Sequence, residues 1–310
     1  MHVALYFPRR LPIQGAGGTQ RVVLWLARGL AELGHTVSLL ALRGTRCRYA
    51  SVIPLERSVL EGSAFDLAEW VPDSADLLHS HVPLALPPRV PHLFTWHGNA
   101  RAGEALPPNI VFLSEDHAHR HGRNAFVYNG LDPSEYRFQR AKEGYHLFIG
   151  RLRTAKGWRW AILGARRAGR RIVIAGGWRP TLRRGVRFVG AVDGERKARL
   201  LAGARCLWMP AQWAEPFGLT LIEAMASGTP VLGTRRGALP EIVDAATGRL
   251  ADTLEELVEL VPVVEGLDPE ACRARVERCF THRSMAEGYL RMYAAVTTTS
   301  ALPAGRLVEH

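Results

Sequence analysis

Lysine is almost missing from this chain. Lys142, Lys156 and Lys197 are the only three among 40 basic residues, so arginine carries nearly all of a formal net charge of +11. Cysteine is scarce too: Cys47, Cys206, Cys272 and Cys279 show no CxxC spacing. That argues against a structural metal or a disulfide framework and predicts a reduced, cytoplasmic protein, peripheral at most to the inner face of a membrane. No apolar run is long enough to span a bilayer. The opening MHVALYFPRR places its apolar residues ahead of its arginines, the reverse of a signal peptide. The turn at 15–18, Gly-Ala-Gly-Gly, is not GxGxxG. No acidic residue ends the second predicted strand, where Ala41 and Leu42 stand, and this disfavours a nicotinamide dinucleotide.

What is present describes a globular α/β chain. With 310 residues, 47% apolar and 22% charged, it can fill two cores. A basic surface suits polyanions, whether nucleic acid, phosphorylated sugar or anionic lipid, and charge alone does not choose among them. The densest cluster is Arg166, Arg167, Arg170, Arg171, Arg179, Arg183, Arg184 and Arg187, with no interleaved aromatic beyond Trp178. It reads as a solvated face, with peripheral contact to an anionic membrane as the alternative and no specific nucleic acid expected.

Residues 3–7 read as a buried strand, and Val22, Val23, Leu26, Leu30 and Leu33 follow at helical spacing before a second strand at 36–42. In this βαβ unit Gly17 and Gly18 occupy the strand-to-helix turn, where a backbone can approach a phosphate closely. Short strands are expected at 76–80, 92–96, 109–113 and 125–127, and His97-Gly98 falls at a strand end. His79 and His81 share a strand face but lack a third ligand nearby, so no metal site is expected. His117, His119 and His121 alternate in a predicted helix and read as surface. Asn129-Gly130 and Asp132-Pro133 mark a turn, and 134–144 reads as a linker.

A second series of strands is expected at 145–149, 171–175, 186–189, 206–209 and 229–232. The first ends in Gly150-Arg151 with Lys156 close behind, a planar fork and a point charge suited to a diphosphate. The fourth runs into Glu215-Pro216-Phe217-Gly218 and a helix carrying Glu223. Amides near Gly218, Leu219 and Thr220 would face an anion there. Amphipathic helices follow at 254–260 and 269–280. Met285, Tyr289, Met292, Tyr293 and Val296 form a last helical stripe, with a frayed tail from Thr297.

The order EPFG, a short apolar step, EAM, ASGTPV and GALPEIV, with Glu215 and Glu223 eight residues apart, resembles the signature of family 4 retaining glycosyltransferases. GR…KG at 150–157 and GGTQRVVLWLARGLAELGHTVSLLA resemble other parts of that family. This chain has Thr19-Gln20 where the family commonly has an acidic residue, and its first domain looks short. The resemblance implies an α/β GT-B architecture, two Rossmann-like domains with parallel sheets facing a central cleft. It places the first domain at 1–140, with a helix at about 283–297 packing back on it, and the donor domain at 141–282. It also implies a retaining, metal-independent sugar transfer from a nucleotide-diphosphate sugar, UDP being favoured by family frequency. No cofactor is implied. The acceptor is a saccharide, a lipid-linked or a small-molecule hydroxyl. By the same resemblance Glu215 contacts the sugar and His97 touches it from the first domain. Arg151 and Lys156 meet the phosphates, together with the backbone of Phe217, Gly218, Leu219 and Thr220, and the loop of Gly17 and Gly18 touches the donor phosphates or the acceptor. Glu223 holds the ribose, and Gly190 and Val192 lie against the base. Epimerisation on the same fold, or arginine-driven binding of nucleic acid, are the alternative functions.

Overall fold

The computed structural model describes residues 1–12, 17–61, 65–84, 88–101 and 103–302. In chain order its elements are β1 (His2–Phe7), α1 (Gly18–Glu32), β2 (Thr36–Leu42), β3 (Ser51–Leu55), α2 (Arg57–Leu60), β4 (Leu77–Ser80), β5 (His92–Thr95), β6 (Ile110–Val111) and α3 (Glu115–His119). They continue with β7 (His146–Ile149), α4 (Trp158–Arg167), β8 (Ile172–Ala175), β9 (Val186–Phe188), α5 (Gly194–Gly203), β10 (Leu207–Met209), α6 (Leu219–Ala226), β11 (Val231–Thr234), α7 (Leu239–Ile242) and β12 (Gly248–Ala251). Four helices close the chain: α8 (Leu254–Glu259), α9 (Val261–Glu265), α10 (Pro269–Cys279) and α11 (His282–Thr299). The chain divides into two compact units. One holds the described residues up to Gly130 and from His282 onward, and the other holds Leu131–Thr281, so residues 131–140 lie with the second unit.

The first unit is built on a six-stranded parallel sheet in the order β3-β2-β1-β4-β5-β6. Its central strands are nearly continuous apolar runs because both faces are covered, one of them by Leu60, Phe65, Trp70 and Val82 packed over Ala4, Tyr6, Leu40 and Leu78. Val3, Leu5, Leu39 and Leu77 are fully buried. Helix α11 lies against α1 at Gly29, where an added Cβ would sit 2.4 Å from the His282 carbonyl oxygen. This stacking brings Tyr289 and Tyr293 into the unit's interior, both fully buried. Strand β3 was not anticipated, because Pro54 interrupts its pattern; at a sheet edge proline is tolerated. The strand expected at 125–127 is reduced to one bridge between Phe112 and Phe126.

The second unit repeats the plan, with parallel strands in the order β12-β11-β10-β7-β8-β9. Trp208, Phe148 and Ile174 form its core with Trp158 and Leu257. Gly164 on α4 leaves room for the Trp208 ring, which a Cβ would approach to 2.5 Å. The stretch read as a linker is tied down instead. Lys142 Nζ donates to the carbonyls of Ala202 and Ser227 and to Thr229 Oγ1. The arginine face is not wholly solvated either: Arg170 makes two hydrogen bonds to Glu265, whose side chain is only 10% exposed. The final helix continues through Thr299, beyond the expected fraying point. No described helix is long and apolar enough to cross a membrane.

Candidate functional site

In a doubly wound sheet, ligands collect outside the carboxyl ends of the strands where the strand order reverses. In the second unit that point lies between β7 and β10. The loop after β7 carries Gly150 to Gly157 and the loop after β10 carries Pro210 to Gly218. They are fastened together, since Gln212 N–H donates to the Ala155 carbonyl at 2.7 Å. Gly157 has φ +75°, and a Cβ there would lie 1.7 Å from the Pro210 carbonyl oxygen. Only glycine permits this approach.

Lys156 and Glu215 meet across that junction, with Nζ donating to Oε2 at 2.5 Å. Trp213 Nε1 donates to the same oxygen at 2.8 Å, and Lys156 Nζ stands 4.7 Å from the centre of the Trp213 ring. Glu215 is buried while the lysine side chain is 25% exposed, so the cation is the accessible partner. The backbone of Glu215 is fixed by Gly237, where a Cβ would lie 2.3 Å from its nitrogen and oxygen. Arg151 is exposed at the end of β7. Gly218, at φ +91°, begins α6, with Leu219 and Thr220 half-buried beside it. The Phe217 side chain is buried edge-on against Phe280, so any ligand contact there falls to its backbone.

Glu223, on α6, is 1% exposed and takes donors on both oxygens. Lys197 Nζ donates to Oε2 at 2.6 Å and Tyr136 Oη to Oε1 at 2.9 Å. Gly190 accepts from Gly176 N–H at 2.7 Å, and an added Cβ there would meet open space despite φ +73°. Val192 is half-buried just before α5, the helix bearing Lys197. Lys156 is thus brought to Glu215, and Glu223 forms a separate pair. Tyr136, Lys197 and Trp213 were missed as site residues. Lysine rarity was a usable signal for one of them, because all three lysines are spent on buried or part-buried contacts.

The corresponding reversal in the first unit lies between β1 and β4, and its chemistry differs. His81 follows β4 and His97 follows β5, joined by a 2.9 Å hydrogen bond between His81 Nδ1 and His97 Nε2. His79 is hydrogen-bonded to Tyr293 Oη and Thr95 Oγ1, both at 2.7 Å, and stacks on His81 at 4.3 Å. His81 Nε2 is buried with no hydrogen-bond partner among the described residues. Burial lowers all three histidines, His97 to about 4 and His79 and His81 well below the ordinary value. No group of metal-binding side chains forms among the described residues. Gly17 and Gly18 stand at the start of α1; Gly15 and Ala16 lie outside the described residues.

The reading of His117 as surface is corrected. Helix α3 spans only five residues, and His117 is fully buried behind it, while His119 is exposed. His117 Nε2 donates to the Gly98 carbonyl at 2.8 Å, anchoring the turn after His97, and Leu113 N–H donates to its Nδ1. Desolvation lowers it to about 3. His121 is half-buried and stacks on Phe112 at 5.0 Å. An apolar pocket needing a neutral, two-ended hydrogen-bonding ring explains histidine here, and no periodicity reveals it.

The family model described as glycosyl transferases group 1 matches residues 143–263. AviGT4, a glycosyltransferase involved in avilamycin A biosynthesis, is 30% identical with a TM-score of 0.82, covering 97% of this chain and 99% of that one. Glycogen synthase of Mycobacterium tuberculosis is 29% identical over 216 residues, 59% of this chain and 52% of the relative. The chain spans about half the length, or less, of the curated relatives it matches first. Anabaena HepE in complex with UDP-glucose shares the fold at 14% identity and a TM-score of 0.69, covering 95% of this chain and 100% of that one.

Proposed function

The chain belongs to the group 1 glycosyl transferases and is a glycosyltransferase of GT-B type, and from that premise we propose a retaining, metal-independent transfer from a nucleotide-diphosphate sugar to an acceptor hydroxyl. The observation carrying this reading is the Lys156–Glu215 pair at the strand reversal. In the reaction the bond between the anomeric carbon and the diphosphate oxygen breaks, and negative charge grows on the leaving group. Fixed cations aimed at that charge lower the barrier, more so in a dry site. Lys156 and Arg151 supply them from one loop, and the amides at Gly218, Leu219 and Thr220 add dipoles from another. This is charge enough to bind a diphosphate without a metal.

Glu215 is then the group that meets the sugar. Lys156 and Trp213 both donate to its Oε2. As a diphosphate engages Lys156, the carboxylate becomes an acceptor for sugar hydroxyls and a stabiliser of positive charge at the anomeric carbon. The acceptor oxygen forms its bond on the face the diphosphate leaves, and its proton passes to the departing phosphate oxygen. Glu223 takes the ribose, Gly190 and Val192 the base, and His97 is assigned a neutral hydrogen bond to the sugar. Gly17 and Gly18 are assigned backbone contact with phosphate or acceptor. UDP is favoured as the nucleotide, a reading supported by HepE, whose structure was determined with UDP-glucose. The acceptor is a saccharide, lipid-linked or small-molecule hydroxyl. The protein is assigned to the cytoplasm, with the arginine face available to an anionic membrane.

A thermal-shift panel of UDP, GDP, ADP and their sugar conjugates, with and without magnesium, tests this. One nucleotide should raise the melting temperature without magnesium, since a ligand binding only the folded chain stabilises it by mass action. The shift should vanish in Glu223→Ala. A shift that requires magnesium would overturn metal independence, and no shift with any nucleotide would overturn the donor assignment.

A further inference from the structure

We infer that Lys197 and Tyr136 are positioning residues that hold Glu223 as an ionised acceptor for the two vicinal hydroxyls of the donor's ribose. This rests on the reading that Glu223 meets the ribose.

Three separate segments converge on one carboxylate. Glu223 sits on α6, Lys197 on α5, and Tyr136 in the segment that opens the second unit. The ammonium and the phenol each take a different oxygen, at 2.6 and 2.9 Å. Tyr136 is itself fixed, because Arg273 Nη1 donates to its carbonyl at 3.3 Å and to that of Ala226 at 2.8 Å. Donors on both oxygens set the plane of the carboxylate. A carboxylate oxygen accepts from more than one direction, so a donor that fixes its plane leaves its role as an acceptor intact.

A buried ion pair is a poor way to gain stability, since desolvating both charges offsets most of their attraction and an apolar pair of the same volume serves as well. Here the lysine side chain is 11% exposed and the glutamate 1%. Its retention points to a use for the charge itself. Lysine at this place is also an exception in a chain that uses arginine nearly everywhere. A compact ammonium contacts a single oxygen, whereas a planar guanidinium would span both and displace Tyr136. A carboxylate kept charged can only accept hydrogen bonds, so it selects a ligand offering two adjacent O–H donors. It discriminates against one lacking either.

The measurement is the affinity ratio between UDP, GDP or ADP, whichever binds most tightly, and its 2′-deoxy form, with pyrophosphate as a control. In the unaltered enzyme the ribonucleotide should win. Lys197→Met should cut that preference by about tenfold, the worth of a hydrogen bond to a charged group. Pyrophosphate binding should not change. Tyr136→Phe, which removes one oxygen and leaves the ring, should cut it about threefold with unchanged thermal unfolding. Lys197→Arg should not restore the preference. If Lys197→Met does not fold, Tyr136→Phe and Lys197→Arg carry the test. A preference surviving in Tyr136→Phe and in every folded Lys197 variant, but lost in Glu223→Ala, overturns this inference alone. A preference surviving in Glu223→Ala overturns the ribose reading beneath it.

Discussion

The two sheets have one topology and two chemistries. Numbered within its own unit, each runs 3-2-1-4-5-6, with a reversal beside its first strand. At the reversal of the second unit stand full charges in salt-bridged pairs, Lys156 with Glu215, and Lys197 with Glu223 farther along. At the reversal of the first stand neutral rings and hydroxyls: His79, His81 and His97 with Thr95, Tyr289 and Tyr293. The scaffold therefore provides a place and does not decide what fills it. Charges suit a diphosphate leaving group. Neutral donors and acceptors suit sugar or acceptor hydroxyls, which such groups can orient at little desolvation cost.

The charged edge should be the easier to break. Glu215→Ala and Lys156→Ala should each lower turnover by about 10²–10³-fold, the cost of removing one group aimed at developing charge. Circular dichroism should remain that of the folded chain, because Lys156 is partly exposed and its loop is fixed by backbone bonds. Turnover close to wild type in both variants would refute the assignment of these residues. Conservative replacement sharpens the contrast: Lys156→Arg keeps the charge but carries a fork into a contact now made at one oxygen.

The neutral edge should reveal itself through acid. A buried histidine held neutral takes up its proton first in the unfolded chain. Its contribution is complete above the ordinary value of 6.5 and is lost as pH falls toward its folded value, about 4 for His97. That interval corresponds to roughly 3 kcal/mol. His117, at about 3, extends the loss further down, and His79 and His81 add to it. In the second unit Glu265 is held at about 2, chiefly by Arg170, so its contribution is lost only between its ordinary value of 4.5 and that point. His146, lowered by burial, is the second unit's one resolved counterpart among its described residues. Thermal melts from pH 7 to 4 should show the first unit weakening earlier, and His97→Gln should flatten the dependence. A melting temperature constant over that range would remove the argument for buried neutral histidines.

The charged edge was more legible in the sequence than the neutral one. Glu215, Gly218 and Glu223 sit in a run whose order alone marks a strand, a loop and a helix start, and Lys156 stands out by its rarity. The pairing of Lys156 with Glu215 was not legible, because 59 residues separate them and only the sheet order brings them together. Tyr136 lay in a stretch that reads as linker, and its partner is 87 residues away. The histidine network was hidden for another reason. His117 and His79 are polar residues in apolar surroundings, and their burial depends on Tyr289, Tyr293 and Gly98, contributed from distant segments. Short elements were lost where local pattern conflicts with position, as at Pro54 in β3 and Pro262 in α9.

The smallest effect is the most selective test of how the charged edge works. Trp213 contributes two separable things to Glu215 and Lys156: an indole N–H on Oε2, and a ring face 4.7 Å from the ammonium. Trp213→Phe keeps an aromatic face and deletes the N–H. If Glu215 must be oriented by a neutral donor once Lys156 turns to the diphosphate, turnover should fall about fivefold with nucleotide affinity unchanged, as for loss of one hydrogen bond. If instead the ring serves to hold the ammonium, Trp213→Leu should weaken nucleotide binding by a similar factor while Trp213→Phe does not. Equal losses of affinity and turnover in both variants would mean the indole only fills space.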